Sequence, residues 1–298
     1  MNKWWGEFLG FKNKQHTRIF FQNIYGLKLT QTGIDLSKIL VQADGTELDI
    51  IGLAETNVAW KRHQATTQLQ NECTRLWQRA KTVAAGSTQY QQDTLKQYGG
   101  TALIVRGRWT SRCLGAKTDE TLGRWSILHF QGKNNKKLSI ICAYLVCSKP
   151  ISKCGPQTAA FQQWSLLHQQ NEDHEHPRER FYTDLSVKVQ QLKEQNHEIL
   201  LMLDANESTS SQHSKTAKFF DNHGLINIMR SQHQEQTAGH MPAKHMRGSQ
   251  PIDFMAATPA LTNFIEKSGM TPFKAVFDSD HRGLWIDINL QAFLQQKP

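Results

Sequence analysis

Three apolar runs in this sequence meet a carboxylate. "IIGLA" (50–54) runs into Glu55. "ILLML" (199–203) runs into Asp204, with Asn206 two residues on. "PIDFM" (251–255) carries Asp253 inside it. Two further segments put polar groups beside apolar strands: Asn23 follows "IFFQ" (19–22), and Asp280 and His281 precede "GLWIDI" (283–288). Carboxylates and imidazoles are costly to desolvate unless they are paired. Taken singly, each has an ordinary structural explanation as a turn residue, a helix cap or a hydrogen-bonded core group. Five such interruptions, each at a strand boundary, are poorly explained that way. Strand ends that converge on one edge of a sheet are where open α/β proteins build sites.

The residue types define a chemistry. Carboxylates and a carboxamide are hard oxygen ligands that suit Mg²⁺ or Mn²⁺ rather than zinc. An aspartate beside such an ion can position and deprotonate water, and a histidine backed by an aspartate can neutralise a phosphoryl group in flight. The chain has 35 Lys and Arg against 26 Asp and Glu, a formal net charge of +9, which suits a polyanionic partner. Together these features predict metal-assisted phosphodiester hydrolysis.

The elements that must position these residues are short and mixed. Strands are expected at 18–27, 48–56, 99–107, 124–130, 137–146, 198–206 and 252–258, and from Gly283 onward. "LDIIGLAET" (48–56) is apolar enough to be covered on both faces. Helical spacing marks 34–43, 58–82 and 178–195, where Phe181, Leu185, Val189 and Leu192 share one face. A helix at 214–224 is expected to stop at Gly224. "QGKNNKK" (131–137) reads as a hairpin turn. Residues 147–177 read as a long loop with a helix around 157–169, and residues 231–250 as a Gln/His/Gly loop. Strands and helices mix throughout without a linker, which predicts one α/β domain with mixed sheets.

Composition narrows the setting. The 298 residues are 38% hydrophobic and 20% charged, as in a globular protein with an ample core. Cys73, Cys113, Cys142, Cys147 and Cys154 are odd in number and match no zinc spacing, so reduced thiols in an intracellular protein are expected. The N-terminus lacks the apolar core of a signal peptide, and no run approaches the ~18 apolar residues of a membrane span. Trp4, Trp5, Phe8 and Phe11 are expected to form a small packed turn.

In order, "QNIYGL", "GLAET", "AYLV", "LMLDANES", "PIDFM" and "SDHRGL" resemble the endonuclease/exonuclease/phosphatase family over about residues 17 to 290. The family includes apurinic/apyrimidinic endonucleases, deoxyribonuclease I-like nucleases, inositol polyphosphate phosphatases and the endonuclease domains of LINE-type retrotransposons. The resemblance implies a four-layer α/β sandwich, two mixed sheets face to face with helices outside. One domain would span 17–290, flanked by an N-terminal extension (1–16) and a C-terminal tail (291–298). By the same resemblance Glu55, Asn23 and Asp280 would hold Mg²⁺ or Mn²⁺. Tyr144 would contact the phosphate, Asp204 would activate water beside Asn206, and Asp253 would orient His281.

The chain departs from the family pattern at Tyr25, where an acid or Asn is common, at Leu145, where Pro often follows the Tyr, and at Pro251, where a basic residue is frequent. "SDHR", "PRERFYTDL" and "LMLDANE" most resemble retroelement endonucleases, which implies a phosphodiesterase that nicks DNA. The same fold also serves phosphatases and RNA-directed exonucleases, and a silent nucleic-acid binder is the alternative outside enzymology. A soluble monomer without membrane association is the default, with the nucleus as the address a chromosomal nickase would need.

Overall fold

Residues 50–54 are apolar on both sides because both sides of their sheet are covered. In the computed structural model, which describes residues 2–31, 33–89, 93–169, 175–237, 241–246 and 248–295, they form β5 (Ile50–Ala54). This strand lies inside a seven-stranded sheet. The order is β1 (Trp5–Gly6), β14 (Ile265–Met270), β15 (Leu284–Ile288), β2 (Thr17–Asn23), β5, β7 (Thr101–Arg106), β6 (Ala80–Ala85). A second sheet has six strands in the order β12 (Ile226–Asn227), β13 (Asp253–Ala257), β11 (His197–Asp204), β10 (Lys137–Tyr144), β9 (Trp125–Gln131), β8 (Cys113–Thr118). A small hairpin pairs β3 (Lys28–Thr30) with β4 (Gly33–Asp35). Both large sheets are mixed: β2 runs parallel to β5 and β10 parallel to β11, among antiparallel neighbours.

The period-two alternation of each strand sorts its side chains into layers. Ile19, Phe21, Leu103 and Val105 of the first sheet face Ile140, Cys142, Leu200, Met202 and Met255 of the second, forming the central core. The sheets come so close at Gly52 that an added Cβ would lie 2.5 Å from the Met202 methyl. The alternate residues Phe20, Ile51, Leu53 and Ile104 point the other way, under α1 (Ser37–Gly45) and α2 (His63–Trp77). On the far side, Ile141, Leu201 and Phe254 lie under α4 (Pro177–Glu194) and α5 (Lys215–Asn222), and the Phe181, Leu185, Val189, Leu192 stripe is fully or almost fully buried there. The result is helix, sheet, sheet, helix, the four-layer sandwich expected from the sequence.

Several local expectations change. The helix read over 58–82 stops at Trp77, where Gln78 turns left-handed (φ 57°), and Ala80–Ala85 joins the first sheet as an edge strand along β7. Residues 33–35 belong to a hairpin, and the helix read at 34–43 begins at Ser37. The helix expected around 157–169 is present as α3 (Ala159–Gln169), with 170–174 outside the described residues. The 231–250 loop begins on two short helices, Ile228–Gln232 and Gln234–Thr237. Trp5–Gly6, in the expected extension, hydrogen-bonds along β14, and Trp4 packs edge-on to Phe8 while Phe11 is exposed. Phe293 and Leu294, in the expected tail, are buried in the central core. All five cysteines are free thiols. Among the described residues no helix is long and apolar enough to cross a membrane.

Candidate active site

Strand register brings the polar residues together. Tyr144 is the last residue of β10 and pairs with Asp204, the last of β11. Asp204 in turn lies directly opposite Asp253, the first of β13. Three candidate site residues therefore stand at one level of the second sheet. The first sheet ends at the same place, where Asn23 of β2 pairs with Ala54 and the chain continues into Glu55.

One amide joins the two sheets. Asn23 Nδ2 donates to Glu55 Oε2 at 2.8 Å and to Asp204 Oδ2 at 2.7 Å. Its carbonyl faces away and accepts the Tyr25 N–H at 2.8 Å. Asn23 thus presents N–H donors to the carboxylates. Asp204 Oδ1 accepts the Asn206 N–H at 3.0 Å, and the Asn206 amide donates to Leu145 O at 2.8 Å, tying the loops after β11 and β10. From α4, the Arg178 guanidinium donates to the carbonyls of Val146 and Ala205 behind the same loops.

The backbone here leaves its easy conformations. Tyr25 (φ 52°), Glu55 (φ 51°), Asn57 (φ 56°) and Asn206 (φ 45°) are all left-handed. Asn adopts this region readily, whereas for Glu and Tyr it costs on the order of 1 kcal/mol. Surrounding bonds hold Glu55 there: the N–H groups of Thr56 and Asn57 donate to Gly100 O and Gly99 O, and Asn57 Oδ1 accepts the Gly99 N–H at 2.8 Å.

His281 arrives from the loop before β15. Gln22 Nε2 donates to its carbonyl at 2.7 Å, and Ser279 Oγ, which donates to Asn23 O at 2.6 Å, accepts the His281 N–H. Nδ1 of the ring pairs with Asp253 Oδ2 at 2.8 Å in a buried setting. Burial pulls the imidazolium down. The charge and hydrogen bond of Asp253, supported by Asp204 and Asp280, outweigh that and hold the group at about 10. His281 is therefore a cation at neutral pH.

Burial, then the charges of Asp253 and Glu55, push the Asp204 carboxyl well above the usual range, against His281 and the Asn23 hydrogen bond. Glu55 is raised chiefly by burial. Burial, Glu55 and Asp204 also raise Tyr144, so its phenol stays protonated and can donate. Among the described residues, Asp253 Oδ1 and Asp280 Oδ1 are buried without a hydrogen-bond partner. Concentrated carboxylates, two of them raised, with orphaned oxygens nearby, fit a divalent cation held by hard oxygen ligands.

Glu55, Asn23, Asp204, Asn206, Asp253, His281 and Tyr144 meet at this edge. Asp280 stands beside them but turns elsewhere: its Oδ2 pairs with His245 Nε2 at 3.0 Å. His245 escaped the sequence reading, as did Lys244. The latter is fully buried; its ammonium donates to Asp253 O, and burial, opposed by Asp253, lowers it to about 7. Both lie in a loop without periodicity. The adjacent Lys244 and His245, nine and eight residues before the strand aspartate Asp253, were the hint available. Glu55 and Tyr144 open into a cleft of about 240 Å³ lined also by Tyr98, Cys147, Lys149 and Lys153.

No protein-family model matches the chain, and no curated protein matches it. Solved structures do. The AP endonuclease LMAP from Leishmania major superposes with a TM-score of 0.66 at 12% identity, covering 93% of this chain and 89% of that one. The 3′ phosphatase NExo from Neisseria, bound to product DNA hairpin, gives 0.60 at 15% identity over 91% and 99%. The endonuclease domain of TRAS1, a telomere-specific non-LTR retrotransposon, gives 0.51 at 13% over 93% and 99%. The chain has the endonuclease/exonuclease/phosphatase fold.

Proposed function

We propose that this chain is a divalent-metal-dependent phosphodiesterase that nicks DNA by attack of water on a phosphodiester. The observation that carries the reading is the single Asn23 amide linking Glu55 and Asp204 opposite the Asp253–His281 pair. A chain that needed these groups only for folding would have no use for like charges set in register across Asp204 and Asp253.

Glu55 and Asp280 would hold Mg²⁺ or Mn²⁺, with Asn23 bracketing Glu55 by its amide. The ion, when bound, supplies Lewis-acid stabilisation of the phosphoryl oxygens. Asp204 accepts the proton of the attacking water, and its raised affinity for protons suits a base working near neutral pH. Asn206 fixes the Asp204 carboxylate through its own N–H. His281, kept cationic by Asp253, offsets charge growing on the phosphoryl group, and the neutral Tyr144 hydroxyl donates to a phosphate oxygen.

Support for DNA comes from the +9 charge, from Lys149 and Lys153 at the cleft, and from solved structures of this fold that include an AP endonuclease, a retrotransposon endonuclease domain and a phosphatase bound to a DNA hairpin. The test is nicking of supercoiled plasmid with Mg²⁺, with chelator, and by Asp204→Ala. Metal-dependent nicking lost in the variant is expected. A folded protein that leaves plasmid intact but hydrolyses polyadenylate or an inositol phosphate would replace the substrate. Turnover of none of them would leave a binder.

A further inference from the structure

We propose that His245, Asp280 and His281 form a binding site for a zinc-class transition-metal ion, one that shares Asp280 with the carboxylate site at Glu55 and differs from it in its two imidazole ligands. Ligand atoms of the three side chains all lie within 4.8 Å of one another. Four-coordinate zinc with bonds of about 2.1 Å places its ligands about 3.4 Å apart, so small side-chain rotations suffice.

The frame for these ligands is already built. His245 and His281 form an antiparallel backbone bridge. Met246 N–H donates to Asp280 O at 2.7 Å, and Arg282 N–H to Lys244 O at 2.8 Å. Clamped in this way, the two imidazole rings meet at 5.0 Å. His245 Nε2 already lies 3.0 Å from Asp280 Oδ2, where a proton now does what a cation would do.

Two independent features point to a ligand. The first is Asp253, whose carboxylate holds Nδ1 of His281 and leaves Nε2 as the coordinating atom. Carboxylate-backed histidine is the usual arrangement behind metal-bound imidazole. The second is Asp280 Oδ1, which is buried and has no hydrogen-bond partner among the described residues. The His245 and Asp280 side chains remain 29% and 33% exposed, so an ion can enter. Two imidazoles and one carboxylate favour Zn²⁺, Co²⁺ or Mn²⁺ over Mg²⁺, which prefers an all-oxygen shell. An ion here occupies the same His281 nitrogen that would face phosphate, so it blocks hydrolysis. That consequence rests on the role proposed for His281; the binding does not.

The test is titration of the full chain with Co²⁺ in excess Mg²⁺, read by visible absorption, with Zn²⁺ displacement by calorimetry. A background of Cys147→Ser and Cys154→Ser removes the thiols that are not buried. One equivalent of Co²⁺ with a nitrogen/oxygen spectrum is expected, weakened at least tenfold in His245→Gln and in Asp280→Asn, each checked for folding by circular dichroism. Unchanged affinity in folded His245→Gln, or absorption only in the thiol-containing protein, would overturn the site. A protein that binds Co²⁺ through His245 yet, stripped of Co²⁺ and supplied with Mg²⁺ alone, nicks no DNA would uphold the site and refute the proposed function, so the two readings fail separately.

Discussion

Strand β2 carries buried charge at both ends, handled in opposite ways. At its start, Arg18 meets Asp287 of β15 in a two-pronged pair, Nε to Oδ1 at 2.8 Å and Nη2 to Oδ2 at 2.7 Å. Nη1 adds the carbonyls of Gly10 and Thr46, so each guanidinium nitrogen has a partner. At its end, Asn23 meets Glu55 and Asp204, with Asp253 alongside, and among the described residues the cation paired directly with this carboxylate group is His281. One pole is balanced within the protein. The other has excess negative charge, raised carboxyls and orphaned oxygens among the described residues, a setting that fits a cation. A balanced buried pair points to architecture; an unbalanced one points to a ligand.

The comparison is most strongly tested at Asp204. Asp204→Asn should lower turnover by about 10²–10⁴-fold, the usual contribution of a general base. It should leave the melting temperature unchanged or higher, because it removes a desolvated carboxylate that faces like charge. A drop in melting temperature with activity retained would mean that the two poles had been read the wrong way round.

The opposite pole should respond in the opposite sense. Asp287→Ala strands a buried guanidinium and should cost about 3–5 kcal/mol of stability in urea unfolding, with turnover per folded molecule unchanged. Replacing both partners, Arg18→Met with Asp287→Leu, should recover most of that loss, since an apolar pair of similar volume needs no compensating charge. Failure of the double replacement to recover would show that the carbonyl bonds to Gly10 and Thr46 matter more than the ion pair.

Asp253→Asn should have a smaller effect, about 10–100-fold on turnover, with its signature in the pH profile. His281 has a folded pKa raised to about 10, above its ordinary value near 6.5. Its contribution to stability is therefore fully present below about pH 6.5 and is lost as pH rises through 10. Without the Asp253 charge, burial pulls the imidazolium down, and the alkaline limb of activity should move to lower pH. An unmoved limb in a folded variant would remove Asp253 as the partner that sets the protonation of His281.

How much of this was legible in the sequence follows from the same contrast. Inner strands such as β2, β5, β10 and β11 are buried on both faces, so their apolar runs are continuous and any polar residue at their ends stands out. Glu55, Asp204 and Asp253 were visible for that reason. Edge strands were not. "AKTVAA" and "CLGAKT" bury too little for a period to survive, and they form because β7 and β9 offer them a partner. The facing of Asp204 and Asp253 depends on register, which only the assembled sheet determines. His245 finds Asp280 through a bridge between segments 35 residues apart, and no local spacing encodes that.

The smallest expected effect concerns strain. Tyr25 and Glu55 sit left-handed at the same pole, yet they are held for different reasons. Glu55 is pinned by the loop that aims its carboxylate at Asn23. Tyr25 is 69% exposed, and its backbone N–H alone reaches the site, through Asn23 Oδ1. Tyr25→Asn keeps that N–H and supplies a residue at home in this conformation, so it should stabilise the protein by a few tenths to about 1 kcal/mol. Thermal melts of the variant test this directly. A gain in stability with weaker binding of DNA and unchanged kcat would show that the tyrosine ring touches the nucleic acid and that its strained backbone is retained for that contact. A loss of stability would mean that the ring packs against the β3–β4 hairpin more firmly than its exposure indicates.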